Sequence, residues 1–392
     1  MTKRKIPLLV KIVVAIVLGV ALGRLVPDSA VRVMNTLNGV FDQLLKFLIP
    51  LIIIGLVTPA IADVGRGAGR MLALTAGLAY CFTVLSGLFA YGFSTTLFPH
   101  FIDAGRMSAL NAEGQEFAPY FTIAIPPVVD VMTALVFSFM TGMGIAALDA
   151  PVLKRGFDEY KLIVTKAISS VIIPFLPIYI FGLFLDMTAV GRVGVVLQAF
   201  VLVILVIFAM TLLYLLLQYV VAGLVAGRNP LRLLSTMLPA YVTALGTSSS
   251  AATIPVTLGQ TLRNGVDEEV AGFVVPLCAT IHLSGSTLKI TSCAIALMLM
   301  LDMPFDFGLM LGFILMLGIV MVAAPGVPGG AIMAALGVLD SVLHFGATEQ
   351  AMMITLYIAM DSFGTACNVT GDGAIALLVN EYRRHRHAPE GK

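Results

Sequence analysis

The chain has 392 residues, of which 59% are hydrophobic and 11% charged, with a formal net charge of +1 and a mean hydropathy of +1.01. A soluble domain of this size would carry about 25% charged residues, so this composition describes a polytopic membrane protein. A net charge near zero gives no electrostatic reason to expect nucleic acid. The four cysteines, Cys81, Cys278, Cys293 and Cys367, sit in apolar stretches at spacings that suggest neither a zinc site nor a disulfide framework.

The opening MTKRK leads into an apolar run too long for a cleaved signal and lacking a small-residue cleavage site, so a first span is expected at about Ile6 to Val26. Span two is expected at about Val40 to Ala62, with Asp42 and Lys46 four apart and able to pair. Span three follows at about Met71 to Leu97, then a polar stretch from Pro99 to Phe117. Ile125 to Leu148 is a fourth apolar region, expected to be broken by Pro126-Pro127 and Gly142/Gly144. Span five is placed at about Leu162 to Leu185 and span six at about Val193 to Val225.

After Arg228-Asn229-Pro230 the pattern changes. Leu231 to Leu262 has two apolar arms around a hydroxyl-rich tip, Gly246 to Thr253. Each arm is too short to span alone, which predicts a re-entrant hairpin. Val270 to Leu301 is a span interrupted by CATIHLSGSTLK, and Phe305 to Phe345 repeats the two-armed pattern around Ala323 to Ala331. Paired interrupted segments point to a transporter's binding site, because non-helical backbone at membrane depth must be buried or line a cavity.

The last span, Thr355 to Val379, carries Asp361, Thr365, Asn368 and Asp372 at spacings of four, three and four, hence on one helical face. Two carboxylates on such a stripe cost roughly 2.5–3.5 kcal/mol each in a membrane. The stripe must therefore face protein, water or a bound cation; a polar helix contact without ligand is the plainer alternative. Lys and Arg in short loops put both termini in the cytoplasm and give eight spans. The inside set is Lys3, Arg4, Lys5, Arg66, Arg70, Lys154, Arg155, Lys161, Arg228, Arg232, Arg263, Arg383, Arg384 and Arg386.

TSSSAATIPVT, PGVPGGAIM and NVTGD, in that order, resemble the two hairpin tips and the last-span motif of the dicarboxylate/amino acid:cation symporter family, the glutamate-transporter-like secondary transporters. LLKFLIPLI in span two is similar as well, and the resemblance covers nearly the whole chain. It implies an all-α membrane protein of eight transmembrane helices and two re-entrant hairpins, assembled as a homotrimer in a bacterial inner membrane. It also implies a static scaffold and a transport unit moving like an elevator. Residues 1–70 would be scaffold spans one and two, and 71–98 span three of the moving unit. Residues 99–228 would hold scaffold spans four and five and moving span six, 229–382 the transport core, and 383–392 a cytoplasmic tail.

The resemblance also implies site residues. Asp361 would hold a substrate ammonium, with Thr365 and Asn368 lining the pocket. Ser249 and Ser250 would meet the substrate carboxylate, and Val327, Pro328 and Gly329 would form the lid. Asn368 and Asp372 would ligate one sodium ion, since hard oxygens suit a hard cation. Cys278 and Thr280 would belong to a tip-closing cation site. No organic cofactor and no nucleic acid are expected.

The departures from the family pattern decide the substrate. Gly364 stands where acidic-substrate members carry arginine, and Ser248 is not arginine either. A side-chain carboxylate loses its bidentate partner, which favours small neutral amino acids. Lys289 leaves three readings open: a snorkelling or structurally paired lysine, a substitute anion ligand, or a tethered cation. The family's Asn-Met-Asp-Gly-Thr reads His282-Leu283-Ser284-Gly285-Ser286 here, and Val84 replaces a hydroxyl beside Tyr80 and Thr83. One sodium site looks dismantled, and His282 is either a proton carrier or a hydrogen-bonded structural histidine. The function expected is a cation-coupled symporter, Na+ favoured. The alternatives are proton coupling, acidic or dicarboxylate substrates held by Lys289, or an uncoupled facilitator. An intramembrane enzyme is disfavoured: His-Leu-Ser-Gly and Val-Thr-Gly-Asp miss the protease signatures, and no His-Glu-x-x-His occurs.

Overall fold

The computed structural model of the protein describes residues 8–65, 70–102, 117–324 and 328–387. Among these there is no strand, and the chain is a packed array of helices. The helices α1 (Leu8–Leu22), α2 (Asp28–Gly65), α4 (Val131–Ala147), α5 (Pro151–Ala167) and α6 (Ile173–Ala189) pack on one another. Small residues bring them close: a Cβ on Gly142 of α4 would lie 2.7 Å from the Ile61 side chain of α2. α5 and α6 are joined by a wide π turn, Ile168–Ile172, so Pro151–Ala189 is one continuous helical segment.

The second body begins with α3 (Arg70–Leu97) and α7 (Val193–Ala226). It continues through α8 (Pro230–Thr236), α9 (Leu238–Thr247), α10 (Ser250–Arg263), α11 (Glu268–Ile281) and α12 (Ser284–Met300). It ends with α13 (Phe307–Ala323), α14 (Gly330–Leu343), α15 (Ala347–Ala359) and α16 (Asp361–His387). α16 lies at its centre, packed against α7, α9, α10, α11 and α12. The two bodies meet where α14 crosses α2 and α4, with Gly337 against Ile49, Ile53 and Val131. At another junction the Tyr179 hydroxyl of α6 lies 2.5 Å from Asp42 Oδ1 of α2 and 3.1 Å from the Ala347 carbonyl of α15.

Several boundaries differ from the sequence reading. α2 starts at Asp28, twelve residues before the expected Val40. Its first turns carry Asn35 and Asn38, which read as loop but are satisfied by α6: Asn35 Nδ2 donates to Asp186 Oδ1 at 2.8 Å and Asn38 Nδ2 to the Tyr179 carbonyl at 3.1 Å. The fourth region is non-helical through Asp130 and then unbroken: Gly142 packs against Ile61 and the Thr58 carbonyl, and Gly144 is accommodated within the helix facing open space. Asp130 caps α4, its carboxyl accepting from the Thr133 backbone N–H and hydroxyl. The last span, expected as one helix from Thr355, begins at Ala347 and breaks at Met360.

The interruption at His282-Leu283 between α11 and α12 matches the expectation. The two-armed segments form helix pairs, α9–α10 on either side of Ser248-Ser249 and α13–α14 on either side of the second tip. Among the described residues, five segments are long and apolar enough to cross a membrane: Asp28–Asp63, Arg70–His100, Pro151–Ala189, Val193–Ala226 and Glu268–Met300. α1, α4, α13 and α14 are shorter apolar helices. The basic residues Lys3, Arg4, Lys5, Arg66 and Arg106, and the tip residue Val327, lie outside the described residues.

Candidate functional site

The break at Met360 makes Asp361 the first residue of α16, where the positive end of the helix dipole favours a carboxylate. From Asp361 onward the helix is continuous, so Asp361, Thr365, Asn368 and Asp372 do share one face. Asp361 forms part of the floor of a cavity of about 240 Å³. The rest of the lining is Leu8, Leu9, Gly246, Thr247, Ser248, Pro328, Ile358 and Ser362. Both tips therefore reach the same space. The first contributes Gly246 to Ser248, while Ser249 caps α10 by accepting from the Ala252 N–H at 3.3 Å and Ser250 is buried. On the second tip, Gly329 adopts a left-handed backbone (φ 74°) that a residue with a side chain resists. Its N–H donates to Asp361 Oδ2 at 2.8 Å.

Behind Asp361 stands Lys289 of α12, wholly buried. Its Nζ is 3.8 Å from Asp361 Oδ1, donates to the Met360 carbonyl at 3.2 Å, and lies 3.8 Å from the centroid of the Tyr357 ring. Cation–π contact and ion pairing both offset the cost of burying the ammonium. A Cβ on Gly364 would collide with Lys289 Cε and Nζ. Gly364 is thus more than a missing arginine: it is the notch that the lysine fills. Thr365 turns its hydroxyl back to the Asp361 carbonyl at 3.0 Å. Asn368 is engaged by α12, its Oδ1 accepting from the Gly285 N–H at 2.8 Å and its Nδ2 donating to Ser286 Oγ at 3.3 Å.

Three turns along α16, Asp372 Oδ1 is 2.9 Å from His282 Nδ1, with both side chains sealed from solvent. Gln218 of α7 completes this cluster: its Nε2 is 3.3 Å from His282 Nε2 and 3.3 Å from Ser284 Oγ. With Nδ1–H donating to Asp372, Nε2 accepts one amide proton and Ser284 the other. Asp372 Oδ2 and Gln218 Oε1 are buried with no partner among the described residues. Gly371 permits the approach, since a Cβ there would lie 2.7 Å from both Gln218 Oε1 and His282 Cε1.

The candidate cation residues fall in two places. Asn368, Asp372 and His282 belong to the buried stripe, whereas Thr280 opens on a separate cavity of about 420 Å³. There the carboxyl ends of α11 and α13 meet at Ile281, Ala323 and Ala324, with Asp63 and Lys161 on the facing wall. Carbonyls at two helix C-termini suit a hard cation. Cys278 is buried within α11, and its carbonyl accepts from the His282 N–H at 2.8 Å. Among the described residues no cluster of three His, Cys, Asp or Glu side chains could hold a metal ion. Tyr80 and Val84 face Gly318 of α13 rather than the His282 cluster, to which α3 contributes the Phe82 ring. Sequence reasoning missed Gln218 and Tyr357; a lone amide in the apolar run LLLQYV was the available signal for the first.

A family profile described as the sodium:dicarboxylate symporter family matches residues 8–382. A C4-dicarboxylate transport protein 2 of Pseudomonas paraeruginosa is 27% identical, covering 96% of this chain and 90% of that protein. The serine/threonine transporter SstT of Streptococcus thermophilus is 27% identical over 83% of each. Excitatory amino acid transporter 1 of Rattus norvegicus is 30% identical over 66% of this chain and 48% of that protein.

Proposed function

Because the chain belongs to the sodium:dicarboxylate symporter family, and its members are membrane transporters rather than enzymes, we propose that it carries small neutral amino acids together with a cation, Na+ in preference. The observation that carries this reading is the floor of the cavity. Asp361 faces the space with a carboxylate for an ammonium, and the buried Lys289 behind it is engaged by Asp361, Met360 and Tyr357. Lys289 is not among the residues lining the cavity, and none of the described lining residues offers a cation to a substrate side-chain carboxylate. The serine/threonine transporter among the relatives accords with a small neutral substrate.

The same reading takes 1–70 and spans four and five as a trimeric scaffold, the remainder to 382 as a unit that moves like an elevator, and the hairpins as re-entrant. It places the protein in a bacterial inner membrane with both termini in the cytoplasm. A close and buried pair, His282 with Asp372, favours a second coupling mode, in which a proton is carried where other members carry sodium. Dicarboxylates or acidic amino acids remain the alternative substrates should Lys289 swing toward the cavity. The test is uptake into proteoliposomes with a panel of amino acids and C4-dicarboxylates, with sodium and proton gradients imposed separately. Concentrative uptake of small neutral amino acids supports the reading; preference for dicarboxylates, lost in Lys289→Met, would replace it.

A further inference from the structure

Lys289 and Asp361 together pose a question of net charge. A buried lysine is rare unless paired, and this one has no exposure, while Asp361 is only 8% exposed. The ammonium reaches from α12 into a notch on α16 that exists because residue 364 is glycine. Its hydrogen-bond, ring and ion-pair partners among the described residues, the Met360 carbonyl, the Tyr357 ring and Asp361, belong to α15, α16 or the break between them. The cavity therefore rests on a floor that holds one anion and one cation, with the anion in front and the cation behind.

Such a floor is neutral as a whole, and burying a ligand with an uncompensated charge beside it is costly. A zwitterion brings both signs: its ammonium can approach Asp361 while its carboxylate offsets the nearby Lys289. A simple amine or a monovalent metal ion brings a second positive charge to a carboxylate that already has one. A carboxylate lacking an amine meets Asp361 first.

We propose that Lys289 is a tethered counterion of Asp361 that sets the net charge of the acceptable substrate, admitting zwitterions and refusing amines and monovalent metal ions at Asp361. This rests on the amino-acid reading above for the identity of the natural substrate, but not for the refusal of cations. The pairing of Lys289 with Gly364 is part of the device, because the notch takes one cation, delivered here from α12.

The experiment is thermal unfolding of the purified full-length protein at constant sodium, titrated with alanine, ethylammonium chloride and potassium chloride. Ethylammonium is alanine without its carboxylate. Wild type is expected to respond to alanine and not to the other two. Lys289→Met leaves the floor with a net negative charge, and it should gain a response to ethylammonium and potassium at concentrations at least about tenfold lower than any seen in wild type. Lys289→Met/Gly364→Arg delivers a cation from α16 instead and should refuse ethylammonium again. If Lys289→Met does not fold, the double variant decides: folded and refusing ethylammonium supports the proposal, folded and accepting it overturns it. A Lys289→Met protein that responds to ethylammonium and potassium as wild type does overturns it too. Failure of both variants to fold makes the lysine a strut, and the proposal falls. A wild type indifferent to alanine and other neutral amino acids counts against the substrate reading, yet a cation response gained in Lys289→Met would still support the filter.

Discussion

Asp361 and Asp372 are the same residue on the same face of the same helix, yet their neighbours give them different work. Asp361 opens α16, touches a cavity, and stands 3.8 Å from its basic partner. Asp372 lies inside the helix, 1% exposed, and stands 2.9 Å from His282. The first pair is loose and faces a space; the second is close and sealed by Gln218, Phe82 and Gly371. A carboxylate in a membrane segment is therefore not one kind of feature. Whether it meets a ligand depends on which element ends beside it.

The comparison breaks hardest at Asp361. Asp361→Asn is expected to abolish concentrative uptake, and by stranding the buried Lys289 it should destabilise the protein by about 3–5 kcal/mol. Adding Lys289→Met should recover stability but not uptake, as read by thermal unfolding and proteoliposome flux. Normal transport by Asp361→Asn would remove Asp361 from the site.

At the sealed pair, His282→Gln is expected to change coupling more than folding, because glutamine can still donate to Asp372. Substrate affinity measured against sodium at fixed pH, then against pH at fixed sodium, separates the cases. Uptake driven by a pH gradient and lost in His282→Gln identifies proton coupling. A steep sodium dependence requiring about three ions would contradict the view that serine and histidine make a poorer cation site than the amide and carboxylate they replace.

Gly364→Arg alone, which would restore the arginine that acidic-substrate members of the family carry there, is expected to fail. Its Cβ meets Lys289 before any guanidinium reaches the cavity. Loss of folded protein on expression, reversed by Lys289→Met, is the outcome to look for. The smallest effect is set at the first tip: Ser249→Ala removes the cap on α10 and should cost about 1 kcal/mol, seen as a slight fall in thermal stability with uptake retained.

Much of this was legible in the sequence for a single reason, the expense of polar atoms in apolar segments. That expense marked the stripe on the last span, the interruption CATIHLSGSTLK, and the hydroxyl-rich first tip. What stayed hidden depends on contacts between distant segments. The break at Met360 has no proline or glycine at the position to announce it. Gly364 read as a vacancy because the lysine that fills it lies 75 residues earlier in the chain. The early start of α2 was masked by asparagines whose partners lie on α6.

The π turn between α5 and α6 has a consequence of phase. A wide turn adds one residue to a helix without ending it, and each residue advances the winding by about 100°. Everything after Ile172 is therefore rotated by about that angle from where an uninterrupted helix would carry it. Tyr179 faces Asp42 and Ala347 with this offset in place. Length in that segment is consequently a specification rather than a tolerance: one residue fewer would leave the helix intact and turn its phenol away from both partners.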